Sequence, residues 1–132
     1  MQSSTQTAPV SRNRLWAGRI ISALPVLLLL FSGAMKLMKP ASVMQGFAGY
    51  GYPERLVVVI GILELACTVV YAIPRTAVLG AILLTGYLGG ATATNVRIGD
   101  PTFIVPTILG ALAWTGLFLR DDRLRALLPL RT

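Results

Sequence analysis

Four apolar runs, at residues 15–37, 56–73, 76–96 and 102–119, organise the chain, and short polar or turn-forming stretches separate them. At about 1.5 Å of rise per residue, runs of about 18 to 23 residues match the ~30 Å hydrocarbon core of a bilayer. The pattern predicts an all-α polytopic membrane protein, an antiparallel bundle of four transmembrane helices within residues 15–132. A Ser-, Thr- and Gln-rich segment at residues 1–14 reads as a disordered tail. For the first run the competing reading is a signal peptide cleaved near Ser32-Gly33-Ala34, but the run exceeds the 7–15 residues of a typical signal core.

The breaks carry information of their own. Between Met38 and Arg55 lie Lys39, Pro40, Gly46, Gly49, Gly51 and Pro53, which rule out a spanning helix and predict a loop with one interfacial turn. Phe47, Tyr50 and Tyr52 suit the head-group level there. Pro74-Arg75 is so tight a connection that the second and third helices must be antiparallel neighbours. Arg97-Ile98-Gly99-Asp100-Pro101 reads as a turn in which Asp100 serves ordinary turn chemistry, with a pair to Arg97 as the alternative, and Arg120 to Arg125 reads as a short amphipathic turn on the surface. Pro25 is a candidate kink in the first helix.

Composition agrees with the pattern, at 55% hydrophobic and 13% charged residues with a mean hydropathy of +0.71. The net charge of +7 would suggest nucleic acid as a partner in a soluble protein. Here the basic residues lie between and beyond the apolar runs, so they anchor to anionic head groups and set topology, and no nucleic-acid partner is expected. Four spans put both termini on one side. That side carries Arg12, Arg14, Arg19, Arg75, Arg120, Arg123, Arg125 and Arg131, while the other carries Lys36, Lys39, Arg55 and Arg97. By the positive-inside bias the first group, and with it both termini, is cytoplasmic.

Cys67 is the single cysteine and there is no histidine. The chain alone therefore supports no disulfide couple, no Cys/His zinc site, no His-ligated haem and no His general base, and a redox role would need a diffusible cofactor such as a quinone. No metal-ligating set and no nucleophile, base and orienter can be assembled, so catalysis by this chain is left open only as part of an oxidoreductase.

Glu64 is the most informative residue. It lies roughly 12 Å into the second span at ~1.5 Å per residue, where an acid costs about 2.5 to 3.5 kcal/mol to insert. Gly61, Thr68 and Tyr71 share its face, which must point into the bundle. Lys36, near the outer end of the first helix, is the natural partner, although its backbone is expected some 9 or 10 Å above that of Glu64, so that a direct pair is stretched and a bridging group is an equal alternative. In the third helix Gly86 and Gly90, then Gly89 and Ala93, are small residues at four-residue spacing that let another helix approach. Tyr87, Ala91, Thr94 and Asn95 place a polar patch near the outer end. Pro106, Gly110 and Trp114 recur at the same spacing in the fourth helix. Lys36, Glu64, Tyr87, Thr94, Asn95 and Arg97 are the candidate ligand-binding residues.

Ser32-Gly33-Ala34-Met35-Lys36-Leu37, Gly61-Ile62-Leu63-Glu64-Leu65, Ile73-Pro74-Arg75 and Asn95-Val96-Arg97-Ile98-Gly99-Asp100-Pro101, in this order, resemble the DoxX-like family of small four-helix bacterial membrane proteins over about residues 15–130. The resemblance implies a bundle in the bacterial inner membrane. It belongs to a broad group that includes a subunit of a thiosulfate:quinone oxidoreductase and a partner in a membrane oxidoreductase complex. Many relatives carry His where this chain has Asn95, so a proton-transfer role does not carry over to that position. The expectation is an accessory subunit that binds a small amphipathic ligand of quinone type in a pocket open to the outer leaflet. The alternatives are a structural or assembly partner of another membrane protein or of a second copy, and a proton-coupled transporter working through Glu64.

Overall fold

The computed structural model describes residues 11–127, so most of the tail at residues 1–14, and Arg131 with it, lies outside the described residues. Six α-helices follow in order: α1 (Arg12–Met38), α2 (Ala41–Tyr50), α3 (Arg55–Ala72), α4 (Ala77–Arg97), α5 (Ile104–Arg120) and α6 (Asp122–Leu127). Single 3₁₀ turns at Pro74–Thr76 and Pro101–Phe103 lead into α4 and α5. Helix α1 starts where Ser11 accepts a hydrogen bond from the Arg14 backbone N–H at 3.1 Å, an N-cap that brings Arg12 to Arg14 into the helix. It runs through Pro25 as one element, with the proline ring buried.

Four helices, with the 3₁₀ turns that open two of them, are long and apolar enough to cross a membrane: Arg12–Met38, Arg55–Ala72, Pro74–Arg97 and Pro101–Arg120. Their outward faces carry Leu24, Leu27, Phe31, Ile62, Leu79, Ile82, Val105 and Ile108, all exposed. So large a continuous apolar surface belongs in lipid, and the chain is a multi-pass membrane protein.

The spanning helices form a ring in which α1 packs on α3 and α5, and α4 packs on α3 and α5, leaving α1 opposite α4. Every neighbour is antiparallel. Lipid supplies no hydrophobic drive between helices, so close packing and polar contacts must hold the ring. The core accordingly mixes Leu29, Leu84, Leu88 and Leu117 with Ala77, Ala81 and Ala113. Gly80 faces the α3 backbone at Tyr71, where a Cβ would run into the Tyr71 N and Cα atoms. At the end that carries the termini, Tyr71 Oη donates to the Ala113 carbonyl at 2.6 Å and lies 3.1 Å from Ser22 Oγ. Ser22 Oγ also accepts from Arg120 Nε at 3.1 Å, and the guanidinium lies over the Tyr71 ring, 5.5 Å from its centroid. This layer ties α1, α3 and α5 together.

At the opposite end the segment after Met38 is a ten-residue helix, α2, and not the loop with one turn expected from its glycines. Gly46 and Gly49 face open space and are tolerated in a short surface helix. The residues that do break the chain flank it: Lys39 at φ 53° and Gly51 at φ 85°, both left-handed.

Glycines at close crossings and glycines in open positions should respond oppositely to a methyl group. Gly80→Ala should destabilise the bundle by about 1 to 3 kcal/mol through overpacking. Gly90→Ala, with nothing within 4 Å of the added carbon, should stabilise α4 by up to about 1 kcal/mol. Thermal unfolding in detergent followed by circular dichroism checks both; equal responses would mean that Gly90 is packed against a partner.

Candidate functional site

The register of α1 against α3 builds the site. Gly33 and Gly61 face each other so closely that a Cβ on Gly61 would lie 2.8 Å from Lys36 Cβ and 3.2 Å from the Gly33 carbonyl oxygen. Lys36 is therefore level with Gly61, one helical turn from Glu64, and not the 9 or 10 Å away that counting from the span ends suggested. The pair is direct: Lys36 Nζ lies 2.8 Å from Glu64 Oε1, with Glu64 almost wholly buried at 1% exposure.

Three donors converge on that one oxygen. Beside Lys36, Tyr87 Oη donates at 3.0 Å and Ser32 Oγ at 3.4 Å, while Ser32 Oγ itself accepts from Lys36 Nζ at 2.7 Å. Three helices thus meet at a carboxylate in the membrane interior. Charge-assisted bonds of this kind are what make an intramembrane acid tolerable. Thr68, one turn on, donates to the Glu64 carbonyl at 2.7 Å and leaves the carboxylate to these partners. The Lys36 ammonium also lies over the Phe47 ring of α2, 5.8 Å from the centroid.

Two adjoining cavities open on this network. The first, of about 350 Å³, lies between α3 and α4 under α2; Ile60, Leu63, Gly86 and Gly90 form its sides and Phe47, Tyr50 and Tyr52 its roof. The second, of about 450 Å³, lies between α1, α4 and α5 and contains Glu64 and Ser32 in its wall, with Leu28, Phe31, Val105 and Leu109 around them. Lys36, Tyr50, Tyr87, Ala91 and Asn95 border both. Gly86, Gly90 and Leu63 are exposed, so the first cavity opens sideways toward lipid. Small-molecule sites have this character, apolar walls around a few fixed polar groups, and these volumes fall in their usual range.

The candidate residues divide accordingly. Lys36, Glu64 and Tyr87 form one network. Thr94 and Asn95 stand on the cavity wall: Thr94 Oγ1 donates to the Gly90 carbonyl and lies 2.9 Å from Tyr52 Oη, and Asn95 Nδ2 donates to the Ala91 carbonyl at 3.0 Å. Arg97 borders neither cavity and donates instead to the Tyr50 carbonyl, which fastens the end of α2. The alternative pair with Asp100 is not formed among the described residues, and Asp100 follows the turn chemistry expected of it. Asp100 Oδ1 caps the next turn, accepting from the Thr102 N–H at 2.9 Å and its hydroxyl at 2.8 Å, and these two bonds hold its carboxyl below the usual value. Ser32 was a missing member of the site; its signal was the four-residue spacing to Lys36 on one helix face. Phe47, Tyr50 and Tyr52, which by sequence suit the head-group level, pack their rings at centroid distances of 5.6 to 6.1 Å as a cover for the cavity. Gly86, Gly89 and Gly90 meet no helix among the described residues.

Fold and site together define a class: a four-span helical membrane protein with a buried lysine-glutamate pair beside a lipid-accessible cavity. A family model described as the DoxX-like family matches residues 20–116, and the chain belongs to that family. No curated protein and no solved structure matches it.

Removing one partner of the pair strands the other in an apolar interior. Lys36→Met should therefore destabilise the protein by on the order of 3 kcal/mol. Lys36→Met with Glu64→Gln, neutral on both sides, should lose less than the two single changes added together. A thermal-unfolding double-mutant cycle checks this; strict additivity would show that the pair contributes no coupling.

Proposed function

We propose that this chain is an accessory, non-catalytic subunit of a membrane redox system in a bacterial inner membrane. It binds a small amphipathic molecule of the quinone class with its polar head at Lys36, Glu64 and Tyr87. Both termini face the cytoplasm, on the reading of eight basic residues against four, and the cavity opens toward the outer leaflet. The observation that carries the reading is a neutral, buried lysine-glutamate pair, joined by a tyrosine, in the wall of two apolar cavities. A pair with no net charge suits an uncharged polar head, since a free anion would have to displace Glu64 from Lys36. The DoxX-like membership is consistent with such a role, and the quinone assignment is part of the proposal.

One observation favours a second role alongside it. Gly86, Gly89 and Gly90 lie exposed on α4 with nothing within 4 Å, which suits close approach by a helix of a partner membrane protein.

Extraction into native lipid discs followed by mass spectrometry tests the ligand reading. Wild type should hold one small molecule at near-unit stoichiometry. Ala91→Trp, which fills the wall shared by both cavities, should lose it while folding normally. An empty wild type, or a molecule retained unchanged by the Trp variant, would move the assignment to the partner-binding role.

A further inference from the structure

All three donors around Glu64 go to the same oxygen. Lys36 Nζ, Tyr87 Oη and Ser32 Oγ bond to Oε1, and among the described residues nothing donates to Oε2. A carboxyl oxygen can accept more than one hydrogen bond, and the one without a donor here is the acceptor that an occupant of the cavity can satisfy. Glu64 is 1% exposed and lies in the wall of the second cavity, so whatever occupies that cavity is what can reach Oε2.

The donors nearby are already committed. The single hydroxyl hydrogens of Tyr87 and Ser32 point at Oε1. Lys36 is shared between Ser32, Glu64 and the face of Phe47. One amide hydrogen of Asn95 goes to the Ala91 carbonyl. Among the described residues the other Asn95 hydrogen and the Tyr50 hydroxyl have no acceptor, and both stand at the α2 end of the wall, where they can hold a second oxygen of the same head. Deep in the site, therefore, the unmet group is an acceptor, and a carbonyl placed there would meet only another acceptor.

Resting on the ligand-binding reading above, we infer that the occupant carries a hydroxyl group that donates to Glu64 Oε2. Within the quinone class the site therefore takes the reduced, hydroquinone form, and likewise phenols or alcohols with an apolar tail, in preference to oxidised quinones, ketones or ethers of the same shape. The hydroxyl completes the carboxylate's shell, and the tail lies along Leu28, Phe31, Val105 and Leu109. A redox pair such as hydroquinone and quinone is discriminated by one hydrogen bond, with the reduced form held.

The probes are 4-decylphenol and 4-decylanisole, which share a shape and differ in the O–H. Each is titrated into the full chain in lipid nanodiscs by calorimetry, with empty discs subtracted for partition into lipid. Wild type should bind the phenol about tenfold tighter or more. In Glu64→Gln the amide turns its carbonyl to Lys36, Tyr87 and Ser32 and its NH₂ to the cavity, so the phenol advantage should vanish and the anisole should bind at least as well. Where that variant does not fold, isotope-edited infrared spectroscopy on wild type reads the same contact. The Glu carboxylate band should shift with the phenol and stay fixed with the anisole. Equal affinity of wild type for both probes, a phenol preference that survives Glu64→Gln, or a carboxylate band indifferent to the phenol overturns the hydroxyl inference and leaves the ligand site standing. Binding of neither probe overturns the ligand reading itself.

Discussion

The close crossing of α1 and α3 at Gly33 and Gly61 is the constraint on which the rest of the structure depends. Without side chains at these positions the two backbones come near enough for Lys36 to sit one turn from Glu64, within reach of a direct ion pair. That distance decides whether the acid is tolerable. An acidic side chain at the bilayer centre is costly without partners, and this one is held at 2.8 Å by Lys36 Nζ and supported by two hydroxyls. Once Glu64 is fixed, Tyr87 follows, and with it the depth of α4 against α3. The polar layer that is the candidate site is therefore the same layer that sets helix register.

The two halves of the bundle use glycine for opposite ends. Toward the termini, Gly18 approaches the Gly116 carbonyl on α5 and Gly80 approaches the α3 backbone, and the space that results is filled by Tyr71, Ser22 and Arg120. That half is tied together by these contacts. Toward α2, Gly86 and Gly90 meet nothing, and the absent side chains leave a slot between α3 and α4 that leads to Lys36 and Tyr87. Small residues in a membrane helix permit close packing but do not enforce it. Whether a small-residue spacing is a seam or an opening depends on the side chains facing it: Tyr71 packs into the space at Gly80, whereas Ile60 and Leu63 stand to the sides of the slot at Gly86 and Gly90.

This ambiguity explains what the sequence could and could not tell. Four spans were legible because lipid demands long apolar helices, and the inward face of α3 was legible because Glu64, Thr68 and Tyr71 recur at helical spacing; all are buried. The depth of Lys36 was not, since rise per residue measures along one helix and says nothing of the offset between two, which the Gly33 and Gly61 contact fixes. Helix α2 was hidden by glycines that disfavour a helix only modestly in a ten-residue surface element. The partner of Arg97 was hidden for a related reason: sequence proximity offered Asp100, while the fold brought the Tyr50 carbonyl within reach from another segment.

Helix α2 connects these points. Left-handed residues at Lys39 and Gly51 bound it, and it is attached to the ring less by backbone packing than by side-chain contacts: Phe47 over Lys36 and Arg97 to the Tyr50 carbonyl, with Tyr52, just beyond its end, bonded to Thr94. These contacts place three aromatic rings between the lysine-glutamate pair and the head-group region. An ion pair shielded from water interacts more strongly than an exposed one, so a cover that keeps water from Lys36 strengthens the pair beneath it. The converse also holds, because Phe47 draws part of its own hold from the Lys36 charge. The order of α2 and the state of the buried pair are thus linked through Phe47.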